Sequence, residues 1–258
     1  MEPHYFGSSD KQLFGVYHPP TGKARAHGVV LCPPAPQEYM RTHMAMRRLA
    51  SLLAREGFHA LRFDYYGTGD SAGDDRAGGL TEWSGNVAAA VDDLKDCSGV
   101  SRVSLLGLRL GATLAAMTPV KASNLILWEP VVDGNAYCDE LRVIHTRKFS
   151  NLLFPPPLPD QASGGELLGL PWPAAMEREM RSINLLGPFA CRAEHVMLVV
   201  SEERPEYVAL RTQLMTRTPP TFDYHFVPDE PQAGQDEAML LSGQVLRLVP
   251  TALARRAS

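Results

Sequence analysis

Only four cysteines occur in the 258-residue chain, Cys32, Cys97, Cys138 and Cys191, and no two of them form a C-x-x-C pair. In a chain of this size such spacing excludes a disulfide framework and a zinc ribbon, and it reads as reduced thiols. No apolar run approaches the roughly 18 residues needed to cross a bilayer. Met1–Leu13 is too polar for a signal peptide. Basic residues are not in excess: the net charge is −4, which sets nucleic-acid binding aside. These absences predict a soluble cytoplasmic protein with no membrane span, no nucleic-acid partner, no metal and no cofactor.

What is present is a rhythm. Two extended stretches, His4–Gly7 and Gln12–His18, flank the turn-prone Ser8-Ser9-Asp10 and predict an antiparallel hairpin. His27–Cys32 is continuously apolar, as in a strand covered on both faces. A helix follows over Glu38–Glu56, with Ala45, Leu49, Leu52 and Leu53 on one face and Gly57 at its end. Strand Ala60–Phe63 precedes a helix striped by Trp83, Val87, Ala90, Val91 and Leu94. Strand Val103–Leu106, a turn at Gly107–Gly111, a helix from about Ala112 and strand Leu125–Trp128 continue the alternation. After a proline-rich interruption it resumes with strand Val196–Val200, helix Glu206–Met215, strand Phe222–Val227 and a helix near Glu237–Leu253. Such alternation implies an α/β fold with a mostly parallel sheet covered by helices on both faces. We assign 1–133 and 189–258 to the core, and 134–188 to an inserted lid.

Two motifs sharpen this reading. Asp64-Tyr65-Tyr66-Gly67-Thr68-Gly69-Asp70-Ser71 resembles the D-x-R-G-x-G-x-S loop of α/β-hydrolases, with Tyr66 in place of the arginine. Gly107-Leu108-Arg109-Leu110-Gly111 stands where the G-x-S-x-G nucleophile elbow falls in that superfamily. The order of elements matches the superfamily over nearly the whole chain. Within it the chain resembles the serine-aminopeptidase-like branch that includes the exosortase-A-system-associated hydrolases, on its Cys32–Glu38 and Glu202–Tyr207 segments. The resemblance implies an α/β-hydrolase fold and a pocket at the strand ends beneath a lid.

It also implies a triad, and the parts can be sought one by one. The nucleophile position holds Arg109, which can neither attack a carbonyl nor accept a proton. The loop after the last strand, Pro228–Met239, contains no histidine. His225 reads as a strand residue with a satisfied ring, while His43 and His145 remain able to approach the pocket. Glu203 or Glu202 could stand at the acid position, or simply belong to a solvated loop with Arg204. An oxyanion hole would need the Leu110 N–H and a second from Cys32, Ala35 or Gln37, since the prolines between them have none to give. Cys32 is either a relocated nucleophile or a buried small hydrophobe.

A guanidinium beside a helix N-terminus requires an anion. Glu129 is the expected internal partner, with Asp64, Asp133, Glu203 and Asp229 as others. Alternatively a ligand carboxylate or phosphate takes that place, gripped by the arginine fork. The resulting expectation is a non-hydrolytic protein that binds a small acidic or acyl-type ligand, or an acyl-carrying protein. Arg109, Leu110, Cys32, Ala35, Tyr66 and Glu129 are its candidate contacts. A second expectation is non-hydrolytic or unusual acyl chemistry with Arg109 polarising or anchoring substrate and Asp64, Glu203 or a lid histidine moving protons. The third is a structural or regulatory pseudoenzyme.

Overall fold

The computed structural model describes residues 1–160, 162, 164–216, 221–228 and 243–256. Strands β1 (Glu2–Phe6) and β2 (Leu13–His18) form the predicted hairpin. They precede β3 (His27–Cys32), α1 (Pro36–Arg55), β4 (His59–Phe63), α2 (Leu80–Ser98), β5 (Arg102–Leu108), α3 (Leu110–Met117) and β6 (Lys121–Trp128). Next come α4 (Gly134–Phe149), the short pair β7 (Gly165–Leu167) and β8 (Leu170–Trp172), and α5 (Ala174–Arg181). The chain then forms β9 (Arg192–Val200), α6 (Pro205–Thr216), β10 (Thr221–Phe226) and α7 (Gly243–Arg256).

The main sheet runs β1-β2-β4-β3-β5-β6-β9-β10. β1, β2 and β4 pair antiparallel, and every pairing from β4 to β10 is parallel. The two-residue period of a strand sorts its apolar side chains cleanly. Val30, Leu105, Leu125 and Leu198 join one core with α2, α3 and α6. Val29, Leu106, Ile126 and Met197 join the other with α1 and α7. Burial on both faces is why β3, and Leu125–Trp128 of β6, read as apolar runs rather than as alternation.

Parallel strands send all their carboxyl ends to one edge, which is where open α/β sheets bind ligands. The 134–188 segment enters between β6 and β9 at that edge. Asp133 starts α4 by accepting from the Ala136 N–H at 3.0 Å. Inside the segment, buried Glu177 receives Arg142 at 2.8 and 2.9 Å, Arg181 at 2.9 Å and the Trp172 indole at 2.9 Å. Burial alone would raise this carboxyl, but those donors hold it below the usual range.

The start of the first helix differs from the sequence reading. α1 begins at Pro36, because proline suits the first turn of a helix, where its missing N–H costs nothing. The expected start of the last helix near Glu237 lies outside the described residues.

Candidate ligand-binding site

The turn between β5 and α3 is the tightest feature of the strand-end edge. Arg109, at its tip, has φ 52° and ψ −120°. Such backbone in a non-glycine residue costs about 1–3 kcal/mol and persists only where its surroundings hold it. The Arg109 N–H donates to Trp128 O at 2.9 Å, and its own carbonyl accepts the Ala112 N–H at 3.1 Å. A Cβ on Gly107 would lie 2.3 Å from the Ala112 backbone, and one on Gly111 would lie 2.3 Å from the carbonyl oxygens of Cys32 and Pro33. Both glycines are therefore demanded by close packing of helix on strand.

The Arg109 side chain is buried in a polar network. Its Nε donates to Glu38 Oε1 at 3.0 Å and its Nη2 to Glu140 Oε2 at 3.0 Å. Tyr137 donates its hydroxyl to the other Glu38 oxygen at 2.9 Å and places its ring 5.4 Å from the guanidinium. Glu140 also receives Arg204 at 3.2 Å, and Arg204 pairs with Glu202 at 2.9 Å. Burial would weaken the Arg109 charge, but Glu38 and Glu140 together hold its pKa well above the ordinary arginine value. Burial would raise Glu140 in turn, and Arg109 and Arg204 hold it lowered. The group at the turn is a permanent cation.

The expected partner of Arg109 is thereby corrected: Glu38 and Glu140 take the place assigned to Glu129. Glu129 instead accepts a short hydrogen bond from the Ser201 hydroxyl. Its backbone φ of 46° reflects a turn in which its N–H reaches Val199 O at 2.9 Å. Asp64 is likewise occupied elsewhere, by the Tyr39 hydroxyl at 2.8 Å and the Asp70 N–H at 3.1 Å. Asp133 caps α4. Glu203 is exposed and lines neither main cavity, whereas Glu202 does. Asp229 lies outside the described residues.

A cavity of about 500 Å³ opens over Arg109, within the usual range for a ligand pocket. Glu38, Glu129, Glu140, Arg204 and Tyr207 line it, and Leu168–Leu170 and Lys148 of the 134–188 segment cover it. A second cavity of about 320 Å³ adjoins it, between the loop after β3 and the glycine loop, with Asp64 in its wall. Burial raises the Asp64 carboxyl above the ordinary value.

The remaining candidates divide. Leu110 begins α3 and is fully buried, and Ala35 is the cap residue of α1, accepting the Glu38 and Tyr39 N–H groups. Cys32 is sealed at the end of β3, and burial pushes its thiol well above the ordinary value, so the reading as a buried hydrophobe fits it. Tyr66 lines neither cavity: its ring lies under Lys11 Nζ at 5.2 Å and fills the space above Gly73. His43 donates its Nδ1–H locally to Met40 O, 3.0 Å away. His145 has both ring nitrogens engaged, by Pro156 O at 3.2 Å and the Leu168 N–H at 3.0 Å. The expectation of a satisfied His225 is corrected, since its Nε2 is buried without a hydrogen-bond partner among the described residues. Residues 229–239, most of the Pro228–Met239 loop searched for the triad histidine, lie outside them too. Among the described residues no group of three or more His, Cys, Asp or Glu side chains is placed to hold a metal ion.

No protein-family model matches this chain, and no curated protein matches it. Solved structures do. Est1E from Butyrivibrio proteoclasticus, bound to ferulic acid, aligns at TM-score 0.65 and 16% identity over 98% of this chain and 97% of that one. DcsB, in complex with its substrate analogue, aligns at 0.66 and 15% over 100% and 99%. A putative hydrolase from Agrobacterium vitis S4 aligns at 0.64 and 17% over 100% and 98%. The chain has the α/β-hydrolase fold. Within that fold the 134–188 segment and the β5–α3 turn face each other across the larger cavity. No helix among the described residues is long and apolar enough to cross a membrane.

Proposed function

We propose that this is an α/β-hydrolase-fold protein that binds rather than hydrolyses, holding a small acidic or acyl-type ligand in the cavity above Arg109. The observation that carries the proposal is the conformation of Arg109. It sits at the tip of a strained strand-to-helix turn, in what we take to be the nucleophile position, and its charge is locked on by Glu38 and Glu140. A guanidinium there can neither form an acyl-enzyme nor serve as a base. It can polarise or anchor an anion, and Arg41, Lys148 and Arg204 line the same cavity. The 134–188 segment acts as the lid. Est1E, which shares the fold, has ferulic acid bound, and that supports a carboxylate as the ligand here. The Cys32–Glu38 and Glu202–Tyr207 segments keep the serine-aminopeptidase-like branch as our finer placement.

Calorimetric titration of the full chain with hexanoate, decanoate and 4-hydroxycinnamate tests the proposal. Binding of at least one of them, lost in the double variant Arg109→Met with Glu38→Gln, supports it. Failure of all three to bind, or binding indifferent to the variant, overturns it.

The pairing of Arg109 with two internal carboxylates also favours a second reading, a pseudoenzyme in which the ion network braces the strand ends for contacts with another protein. The same titration separates the two, because that protein would bind no carboxylate in the cavity.

A further inference from the structure

The charges around the larger cavity do not all find partners in the protein. Among the described residues four carboxylates and four cations line it, and their formal charges cancel. Glu38, Glu140 and Glu202 are taken by Arg109 and Arg204 in the network above the turn. Arg41 already has a partner. Glu129 and Lys148 stand outside that network, and neither has a counter-ion among the described residues. Glu129 is half-buried and receives the Ser201 hydroxyl on Oε1, which leaves Oε2 as an unspent acceptor in the cavity wall. A carboxylate drawn out of water without a cation is costly, and a ligand ammonium removes that cost. Lys148, on the exposed rim, has only the Phe149 ring near its Nζ, 5.4 Å from the centroid.

Backbone strain converges on the same place. Among the described residues the non-glycine residues with positive φ are Arg109 at 52°, Glu129 at 46° and Leu168 at 57°, and all three line this cavity. Such backbone is unfavourable for an L side chain and gathers at sites that use the geometry it gives. Glu129 is held in it at the sheet edge by its N–H on Val199 O at 2.9 Å, whereas Lys148 belongs to the segment that covers the cavity. The two unpaired charges, opposite in sign, thus come from the sheet and from its cover. The wall also includes Leu141, Ile144, Leu168 and Leu170, which suit a hydrocarbon chain.

We propose that the larger cavity takes an aliphatic amino acid as its zwitterion, with the ammonium on Glu129 and the carboxylate on Arg109 and Lys148. The inference rests on the ligand-binding reading above and adds an amino group to its acidic ligand. Calorimetry on the full chain near pH 7, where the amine is protonated, uses three probes. These are 6-aminohexanoate, hexanoate, which lacks the amine, and hexylamine, which lacks the acid. The amino acid should bind at least about tenfold more tightly than either of the others, as expected for a hydrogen bond between charged groups. Glu129→Gln, which keeps the side-chain volume and an acceptor for Ser201, should bring 6-aminohexanoate and hexanoate to equal affinity. Lys148→Met, at an exposed helix position, should weaken both acids alike and keep their ratio. Equal binding of the two acids by the parent, a preference that survives Glu129→Gln, or acid binding indifferent to Lys148→Met overturns the zwitterion site. The parent comparison decides the matter even if the Glu129 variant fails to fold. If hexanoate binds as tightly as the amino acid or more so, the zwitterion site fails while the ligand-binding reading stands; if no carboxylate binds, both fall.

Discussion

Arg109 Nε lies 3.0 Å from Glu38 Oε1, and both side chains are buried, so the cation at the β5–α3 turn is tied to the first turn of α1. Removing one member of such a pair leaves an uncompensated charge and costs about 3–5 kcal/mol, whereas removing both is nearly neutral. Arg109→Met should therefore lower stability by that order, and Arg109→Met with Glu38→Gln should regain most of the loss. Urea unfolding of the two variants and the parent measures both. A double variant no more stable than the single one would contradict the pairing.

The glycine beside that arginine makes a separate prediction. A methyl group at Gly111 would stand 2.3 Å from two backbone carbonyl oxygens, which have no freedom to retreat without moving β3. Gly111→Ala should cost more than about 2 kcal/mol, from overpacking, read as a drop in the urea midpoint. Gly85→Ala, on the helix α2 with open space around it, is the control and should leave the midpoint unchanged or raised.

How much of this was legible in the chain depends on the residue. The strands were, because β3 from Gly28 and β6 from Leu125 are apolar and the glycine-bounded turns follow fixed chemistry. The place of Arg109 was legible from Gly107 and Gly111. Its partners were not. Glu129 stands at a strand end and seemed the natural counterion, yet Glu38 lies closer in space because Pro36 starts the helix early and swings the first turn over the elbow. An acid two residues after a helix-starting proline was the available signal, though it reads equally well as an ordinary dipole-compensating residue. Glu140 sits in the 134–188 segment, whose path over the sheet no periodicity predicts.

Glu177 organises the 134–188 segment much as Glu38 organises the β5–α3 turn. Two arginines and an indole converge on a buried carboxylate, and truncating it would leave Arg142 the Pro159 carbonyl but not its Glu177 counter-charge. Glu177→Ala should loosen 134–188 before it affects the sheet. Limited proteolysis should cut the variant within that segment at least tenfold faster than the parent, at unchanged far-ultraviolet circular dichroism.

Acid sensitivity follows from two histidines buried on the sheet. Burial, with Arg62 beside one and Arg102 beside the other, lowers His18 and His27 from 6.5 to about 4. The unfolded chain takes up these protons below about 6.5 while the folded chain refuses them until about 4, so stability falls as the pH drops through that window. Each histidine can contribute up to roughly 3 kcal/mol. Urea midpoints should decline steadily between pH 6.5 and 4, and His18→Gln with His27→Gln should flatten the decline.

The central claim concerns the chemistry of the elbow, and a fluorophosphonate probe addresses it directly. Incubated with the folded protein and mapped by mass spectrometry, the probe should modify no serine, since the residue at the elbow carries a guanidinium paired with Glu38 and Glu140. Stoichiometric labelling of any serine would place a working nucleophile in this fold and contradict the account.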